Sequence, residues 1–317
     1  MRERVCRVPD ITHDQWLEFR RTGIGGSDAA TIVGLNPYSS RYYLYNDKLG
    51  LLAPKEDSEA MRQGRDLEQY VAERWMEATG KRCQRNNYMW RSVEYPFMLA
   101  DIDREVVGES AGLECKTTSV YNRHDFESGE VPLTYYVQCQ HYMAVMGFDR
   151  MYLAVLVLNR GFYHYVIERD GEEIAALVEA ERSFWEGCIL PQEPPELDGS
   201  NATHEALRQR YPAEEDGAWV YLDASADHLL GALEGVQREI KALKESEETL
   251  KAGLMAALGE CASGETERWT VSWKTQTRTG IDRKKLKNEY PEAYAACATT
   301  SGARILRTKK KKENNHV

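Results

Sequence analysis

Gly112-Leu-Glu-Cys-Lys-Thr117, with Phe97-Met-Leu-Ala-Asp-Ile-Asp103 upstream, holds the residue types best suited to chemistry in this chain. In a strand, residues i and i+2 share a face. Glu114 and Lys116 therefore point one way, and Leu113 and Cys115 the other. Asp101 and Asp103 share a face by the same rule. Gly108-Glu-Ser-Ala111 reads as the turn of a hairpin joining the two stretches. One register of that hairpin sets Asp103 opposite Glu114. Two carboxylates at one point repel each other, and a hard divalent cation such as Mg2+, which takes oxygen ligands, supplies the counter-charge. A lysine beside that cation can position a water or stabilise charge developing on a phosphate. The plain alternative is a surface hairpin with solvated Glu and Lys. Apolar Leu113 and the Thr117-Thr118 pair around the motif, where a charged surface run would otherwise stand, weigh against it.

The elements that must position these residues alternate. Thr12 caps a helix carrying Trp16, Leu17 and Phe19; Gly23-Ile-Gly-Gly26 breaks it, and Ser27-Asp28 caps a second helix, Ala29 to Val33. Ala60 to Thr79 shows helical spacing of Leu67, Tyr70, Val71, Trp75 and Met76. After the hairpin come a helix from Leu133 to Val145, a strand over Met151–Leu158, a turn at Asn159-Arg-Gly161, a strand over Phe162–Glu168 and a helix from Glu172 to Glu186. Alternation of this kind predicts an α/β sheet flanked by helices. Pro191–Pro195 and Asp198–Asn201 read as a linker. Beyond it, Leu229, Leu233, Val236, Ile240, Leu243, Leu250, Leu254 and Ala257 follow a 3-4 spacing broken by Glu247. That is a coiled-coil-like seam or a helical hairpin. It serves either a partner or its own domain, and packing on its own domain is the preferred expectation. Arg268–Lys274 alternates as a strand, with Ala303–Arg307 as its expected pairing partner. Asp282 to Ala296 reads as a helix that Pro291 kinks or splits.

Three further groups complete the constellation. Glu68, in Gly64-Arg-Asp-Leu-Glu68, faces away from the Leu67/Val71 side of its helix, although an ordinary surface glutamate looks the same. Gln138 and Tyr142 lie four apart on one helix face, where a glutamine can hydrogen-bond a phosphate or hold a catalytic group; the edge of a core does so too. Arg21-Thr-Gly-Ile-Gly-Gly-Ser27 is a Gly-rich turn leading into a helix start, which presents free N–H groups to an anion, with Ser27 and Arg21 adding a hydroxyl and a guanidinium. A flexible interhelical turn is the alternative. The segment lacks the Gly-Lys-Ser/Thr ending of a Walker loop and follows no strand.

The 317 residues suffice for two domains, and an apolar content of 42% suffices for packed cores. No apolar run approaches the length of a membrane span, and the first residues show no hydrophobic signal core. Seven cysteines are scattered without CxxC spacing. This argues against a disulfide framework, a zinc site or an iron–sulfur cluster, and places the chain in a reducing cytoplasm. A net charge of −10 is awkward for a nucleic-acid binder. Acids that await a cation soften that objection, as do local basic clusters at Arg20-Arg21, Lys81-Arg82, Arg283–Lys285 and Lys309–Lys312.

Acid, turn, then Glu-x-Lys is the metal-site layout of the PD-(D/E)xK nucleases. The full order, over roughly residues 10–190, resembles the phage-type exonucleases of the YqaJ and lambda exonuclease family. The most specific parts are Trp16…Arg21–Ser27, Gly64–Glu68, Ala100–Asp103 and Gly112–Lys116. The resemblance implies an enzyme that degrades one strand of linear duplex DNA from a 5′ end with Mg2+, in which Mn2+ substitutes and two ions act. The 3′ single strands left behind would feed a single-strand annealing protein in phage recombination. By the match, Asp103, Glu114 and the Cys115 backbone carbonyl resemble the metal ligands, Lys116 the lysine near the attacking water, and Glu68 the upstream helix glutamate. Arg21 and Ser27 resemble the 5′-phosphate pocket, and Tyr135 and Gln138 the Tyr-x-x-Gln pair beside the site. The family commonly has Asp-Gly at the first acid. Here Arg104 follows Asp103, and Asp101 is a second candidate. The resemblance further implies a homo-oligomer, a ring-shaped trimer threading DNA, in the cytoplasm of a bacterial host.

The expected fold is α/β. A restriction-endonuclease-like core, a central mixed sheet flanked by helices, spans 1–190. A linker covers 191–222, a small α+β domain with a helical hairpin 223–308, and a basic disordered tail 309–317. Two alternatives stand beside the exonuclease: a sequence- or structure-specific endonuclease of the same fold, and a non-catalytic DNA-end-binding partner of an annealing protein.

Overall fold

The computed structural model describes residues 1–54, 57–120, 126, 129–300, 302 and 304–309. The chain divides into two compact units, Met1–Tyr211 and Pro212–Val317. In the first, strands β2 (Cys83–Arg85), β5 (Arg104–Val106), β6 (Ala111–Thr118), β7 (Arg150–Val157) and β8 (Gly161–Glu168) form one sheet in that order. Only β6 and β7 are parallel; every other neighbouring pair is antiparallel. The sheet is thus mixed, as expected. Strands β1 (Arg2–Arg7), β3 (Tyr88–Ser92) and β4 (Leu99–Ala100) form a second, antiparallel sheet.

A parallel pair needs a crossover, and helix α5 (Leu133–Met146) lies in the β6–β7 connection. Alternation along β7 decides what each side of the sheet meets. Met151, Leu153 and Val155 share a buried cluster with Cys139 and Met143 of α5. Tyr152 and Ala154 join Leu113 of β6 under Val71, Ala72 and Trp75 of α4 (Glu59–Thr79). Helices α1 (His13–Arg21), α2 (Gly26–Ile32) and α3 (Arg41–Lys48) precede α4, and α6 (Gly171–Phe184) follows β8.

α1 starts on the expected cap: Thr12 accepts the Gln15 N–H, and the Gln15 side chain accepts the Thr12 N–H. α2 starts at Gly26, three residues earlier than its sequence predicts. Gly25 is the cap residue, and Asp28 accepts the Gly25 N–H at 2.9 Å instead of capping with Ser27. The expected linker contains α7 (Asn201–Arg210). Thr203 donates its hydroxyl to Ser40 at 2.8 Å, and buried Ala206 packs with Tyr42 and Leu52. The Pro-rich run masked this helix because its apolar stripe is only two or three residues wide.

In the second unit, α8 (Ala224–Leu258) is one helix of 35 residues and not a hairpin. Glu247 does not break it: Lys251, one turn on, pairs with its carboxylate at 2.8 Å. No α8 side chain is buried, so the seam does not pack into its own unit as expected. Strand β10 (Thr270–Ser272) pairs with β9 (Ser263–Glu265), its neighbour in sequence, and not with residues 304–307, which form no strand. Pro291 splits the last helical stretch into α9 (Arg283–Glu289) and α10 (Pro291–Cys297). Of the expected basic tail, residues 310–317 lie outside the described residues, as does Ala303. Among the described residues, no helix is long and apolar enough to cross a membrane.

Within the same turn of α5 as Gln138 lies a buried ionisable pair. His141 meets Glu181 of α6 through Nδ1 at 2.7 Å and the Leu99 carbonyl through Nε2 at 2.8 Å, with both side chains fully buried. Burial alone would lower the imidazole pKa, but Glu181 more than offsets it and holds His141 above its ordinary value. Burial raises Glu181, which His141 only partly counters. Both folded pKa values therefore exceed the unfolded ones. The His141 contribution is complete below the ordinary imidazole pKa and is lost as pH rises through its raised value, and that of Glu181 falls likewise from the ordinary carboxylate pKa upward. Glu181→Ala should lower unfolding stability by about 3 kcal/mol, read as a fall in the urea midpoint. The deficit should shrink as the pH is raised from mildly acidic to alkaline. A variant with unchanged midpoint at mildly acidic pH would show that the pair contributes nothing.

Candidate metal and phosphate site

Arg104 pairs with Leu113 across β5 and β6, so one further step brings Asp103 beside Glu114. The backbone tightens that placement, because the Cys115 N–H donates to Asp103 Oδ2 at 2.7 Å. Lys116 Nζ lies 2.7 Å from Glu114 Oε1, confirming the shared face read from i, i+2 spacing. Gln138 of α5 donates to the same Glu114 oxygen at 2.8 Å and also lies 3.1 Å from the Tyr142 hydroxyl. Glu114 is 4% exposed, and its Oε2 has no hydrogen-bond partner among the described residues. Lys116 Nζ sits 5.5 Å from the centre of the Tyr135 ring.

The charges at this point do not balance comfortably. Burial, reinforced by Glu114 and Glu68, raises the Asp103 pKa well above the usual carboxylate range, with Lys116 opposing. Burial would lower Lys116, but Glu114 and Asp103 outweigh it and hold the ammonium charged. A buried carboxylate oxygen without a donor is costly, and an oxygen-seeking divalent cation meets that need. Among the described residues, no three acidic, histidine or cysteine side chains already converge on a single ligating point. The fit rests on Asp103, the unpartnered Glu114 oxygen and the adjacent Cys115 carbonyl.

Glu68 comes near through Arg104, which sequence reading treated only as a departure from Asp-Gly. The Arg104 guanidinium is almost fully buried and donates to Glu68 at 2.5 Å, to Gln69 at 3.1 Å and to the Asp103 carbonyl at 2.8 Å. Arg85 reaches the same Glu68 oxygen at 3.3 Å. Asp101 stands apart from Asp103: Trp16 donates its indole N–H to Asp101 at 2.8 Å, and the Tyr142 hydroxyl meets the Asp101 carbonyl. Burial raises Asp101, with the Trp16 hydrogen bond opposing.

The contacts around Ser27 differ from expectation in one residue. Arg20, not Arg21, reaches Ser27, at 2.9 Å, and Asp28, at 3.1 Å, while stacking over Trp16. Arg21 instead donates to the Asp47 carbonyl at 3.1 Å. The helical i, i+4 relation of Trp16 and Arg20 was the available signal. Asp28 is the buried anchor. Burial would raise it, but Lys48, at 2.6 Å, and Arg20 hold it at about 2. Gly26 is required here, because a Cβ would meet the Tyr142 ring at 2.5 Å. A cavity of about 190 Å3 joins Arg20, the Gly25–Ser27 helix start, Asp101, Glu114 and Lys116. It adjoins a groove of about 900 Å3 that also reaches Arg21, Glu68, Arg85, Asp103 and Cys115. One surface therefore brings a guanidinium and a helix start beside two carboxylates and a lysine.

Residues 15–149 match the YqaJ-like viral recombinase domain. Uncharacterized protein YqaJ of Bacillus subtilis (strain 168) is 37% identical over 295 residues, 92% of this chain and 92% of that protein. Protein D345L of African swine fever virus (strain Badajoz 1971 Vero-adapted) is 46% identical over 43 residues, 14% of this chain and 12% of its own. Among solved structures, the alkaline exonuclease LHK-Exo of Laribacter hongkongensis is similar, with 19% identity and a TM-score of 0.47, over 55% of this chain and 91% of that one. The identity to the Bacillus protein, sustained over nearly the whole of both chains, shows that this chain belongs to the YqaJ-like viral recombinase family.

Proposed function

We propose that the chain is a metal-dependent 5′-to-3′ exonuclease of restriction-endonuclease-like fold, acting on ends of linear double-stranded DNA. One observation carries the reading: buried Glu114, with an oxygen lacking a partner among the described residues, stands between Asp103 and charged Lys116, beside a guanidinium and a helix start. Mg2+, or Mn2+ in its place, held as one or two ions by Asp103, Glu114 and the Cys115 carbonyl, would supply Lewis-acid polarisation of the scissile phosphate. Lys116 adds a fixed positive charge where the phosphate gathers negative charge in the transition state. Gln138 holds Glu114 in place, and Tyr135 flanks the lysine. Glu68, fixed by Arg104, adds a further carboxylate at the groove.

Arg20, Ser27 and the backbone N–H groups at the α2 start would hold a terminal phosphate. Such a cradle next to the hydrolytic residues favours a free end over an internal site, and hence an exonuclease over an endonuclease. Arg21 lines the wider groove as a backbone contact. All of these residues lie in Met1–Tyr211, which we take as the nuclease unit. The 3′ single strands produced would suit a single-strand annealing protein in phage-type recombination.

The direct test offers 5′-phosphorylated linear, 5′-hydroxyl linear, nicked circular and closed circular duplex, each with Mg2+ or EDTA. Digestion of linear duplex only, abolished by EDTA, is expected. Cutting of closed circles would favour an endonuclease, and no hydrolysis would leave an end-binding protein. Lys116→Ala should lower the cleavage rate by about 100-fold or more while Mg2+ and DNA-end binding persist; a wild-type rate would remove the lysine from the mechanism. Glu114→Gln should abolish cleavage and weaken Mg2+ binding in calorimetry by about tenfold or more. Unchanged binding would place the cation elsewhere. Arg20→Ala should slow 5′-phosphorylated ends about 10–100-fold, as loss of a hydrogen bond to a charged group does, with little effect on 5′-hydroxyl ends. Arg21→Ala should affect both ends alike, and the opposite pattern would return the pocket to Arg21.

A further inference from the structure

Helix α8 exposes its entire apolar seam. Leu229, Leu243 and Leu250 are 69%, 69% and 71% exposed, and no side chain of the helix is buried. The spacing is strictly alternating four and three, so Leu233, Ile240, Glu247 and Leu254 fall at position a of a heptad, and Leu229, Val236, Leu243, Leu250 and Ala257 at position d. The outward positions carry Asp227, Arg238, Lys241, Glu245 and Glu248. A helix with one apolar stripe and one charged face is built to lie against another.

We propose that this face is an antiparallel coiled coil with a second copy of the chain. Three features of the seam select that occupant. First, it is self-complementary when reversed: Leu229 meets Leu254, Leu233 meets Leu250 and Ile240 meets Leu243 of the second copy. Ala226 meets Ala257 in the same register, so the two helices overlap from end to end. Second, the charges agree. A parallel pair would set Glu247 against its own copy inside the seam, whereas the reversed pair sets it against Val236, and Lys251 of the same helix already neutralises it at 2.8 Å. Along the flanks, Gln237 faces Lys244 and Glu239 faces Ser246, so no like charges meet. Opposed helix dipoles also favour this direction. Third, the area suffices. The helix is about 52 Å long, and a contact strip about 10 Å wide counted on both copies is on the order of 1,000 Å2, what a specific interface requires. The pairing is independent of the nuclease reading and of any association through the first unit.

The test uses the full chain. Sedimentation or light scattering should give an even number of copies, and Leu243→Asp should halve the mass while Lys241→Ala leaves it unchanged. For direction, Cys261 and Cys297, both exposed, are replaced by Ser, and Leu233→Cys and Leu250→Cys chains are oxidised alone and as a mixture. A covalent dimer that forms mainly in the mixture, with a 233–250 linkage by mass spectrometry, is expected. Linkage within the Leu233→Cys chain alone would show a parallel pair and overturn the proposal. Equal masses for wild type and Leu243→Asp, with no mixed disulfide, would overturn it too and leave the seam for a different protein.

Discussion

Everything in the first unit is arranged around one constraint: a carboxylate, Glu114, is held inside the protein at the end of a strand pair. A charge there is tolerable only if its neighbours are fixed, and each fixing residue comes from a different element. β6 itself provides Lys116, α5 provides Gln138, and the segment leading into β5 provides Asp103, tied down by the Cys115 N–H. The parallel β6–β7 pair demands a crossover, and that crossover contains the helix that delivers Gln138 and Tyr142. The topology and the electrostatics thus require each other.

A second buried charge organises the anion cradle in the same way. Asp28 draws Lys48 from α3 and Arg20 from α1 to the start of α2, so three helices converge there. The Lys48 ammonium also donates to the Arg20 carbonyl. Arg20 is therefore held by its backbone as well as by its guanidinium. Arg21, one residue away, turns to the Asp47 carbonyl.

The central strands, α4, α5 and the Asp103–Glu114–Lys116 juxtaposition were legible in the sequence, because two-residue and 3.6-residue periods fix which side chains share a face. That Arg20 and not Arg21 contacts Ser27 was not legible, because two adjacent arginines are equivalent in composition and only the helical phase set by Trp16 separates them. Arg104 was hidden because its work is done across elements, on Glu68 of α4. The helix in the Pro-rich linker escaped because it buries little beyond Ala206, too narrow a stripe to register as amphipathic. The continuous α8 was misjudged because Glu247 interrupts the hydrophobic pattern without interrupting the backbone.

Helix α5 faces two polar commitments at once. Gln138 and Tyr142 serve the acid pair, and His141, within the same helical turn, is locked to Glu181 and Leu99. Neither set of contacts can shift without moving the other, since one turn carries both and all three side chains are buried. Core and reactive surface are therefore genetically entangled. Substitutions far from the acids, around α6 or β4, should surface in a mutational screen as changed chemistry in a folded protein, and their effects should depend strongly on what occupies position 138. Evolution along this helix would proceed by paired replacements, with few neutral single steps.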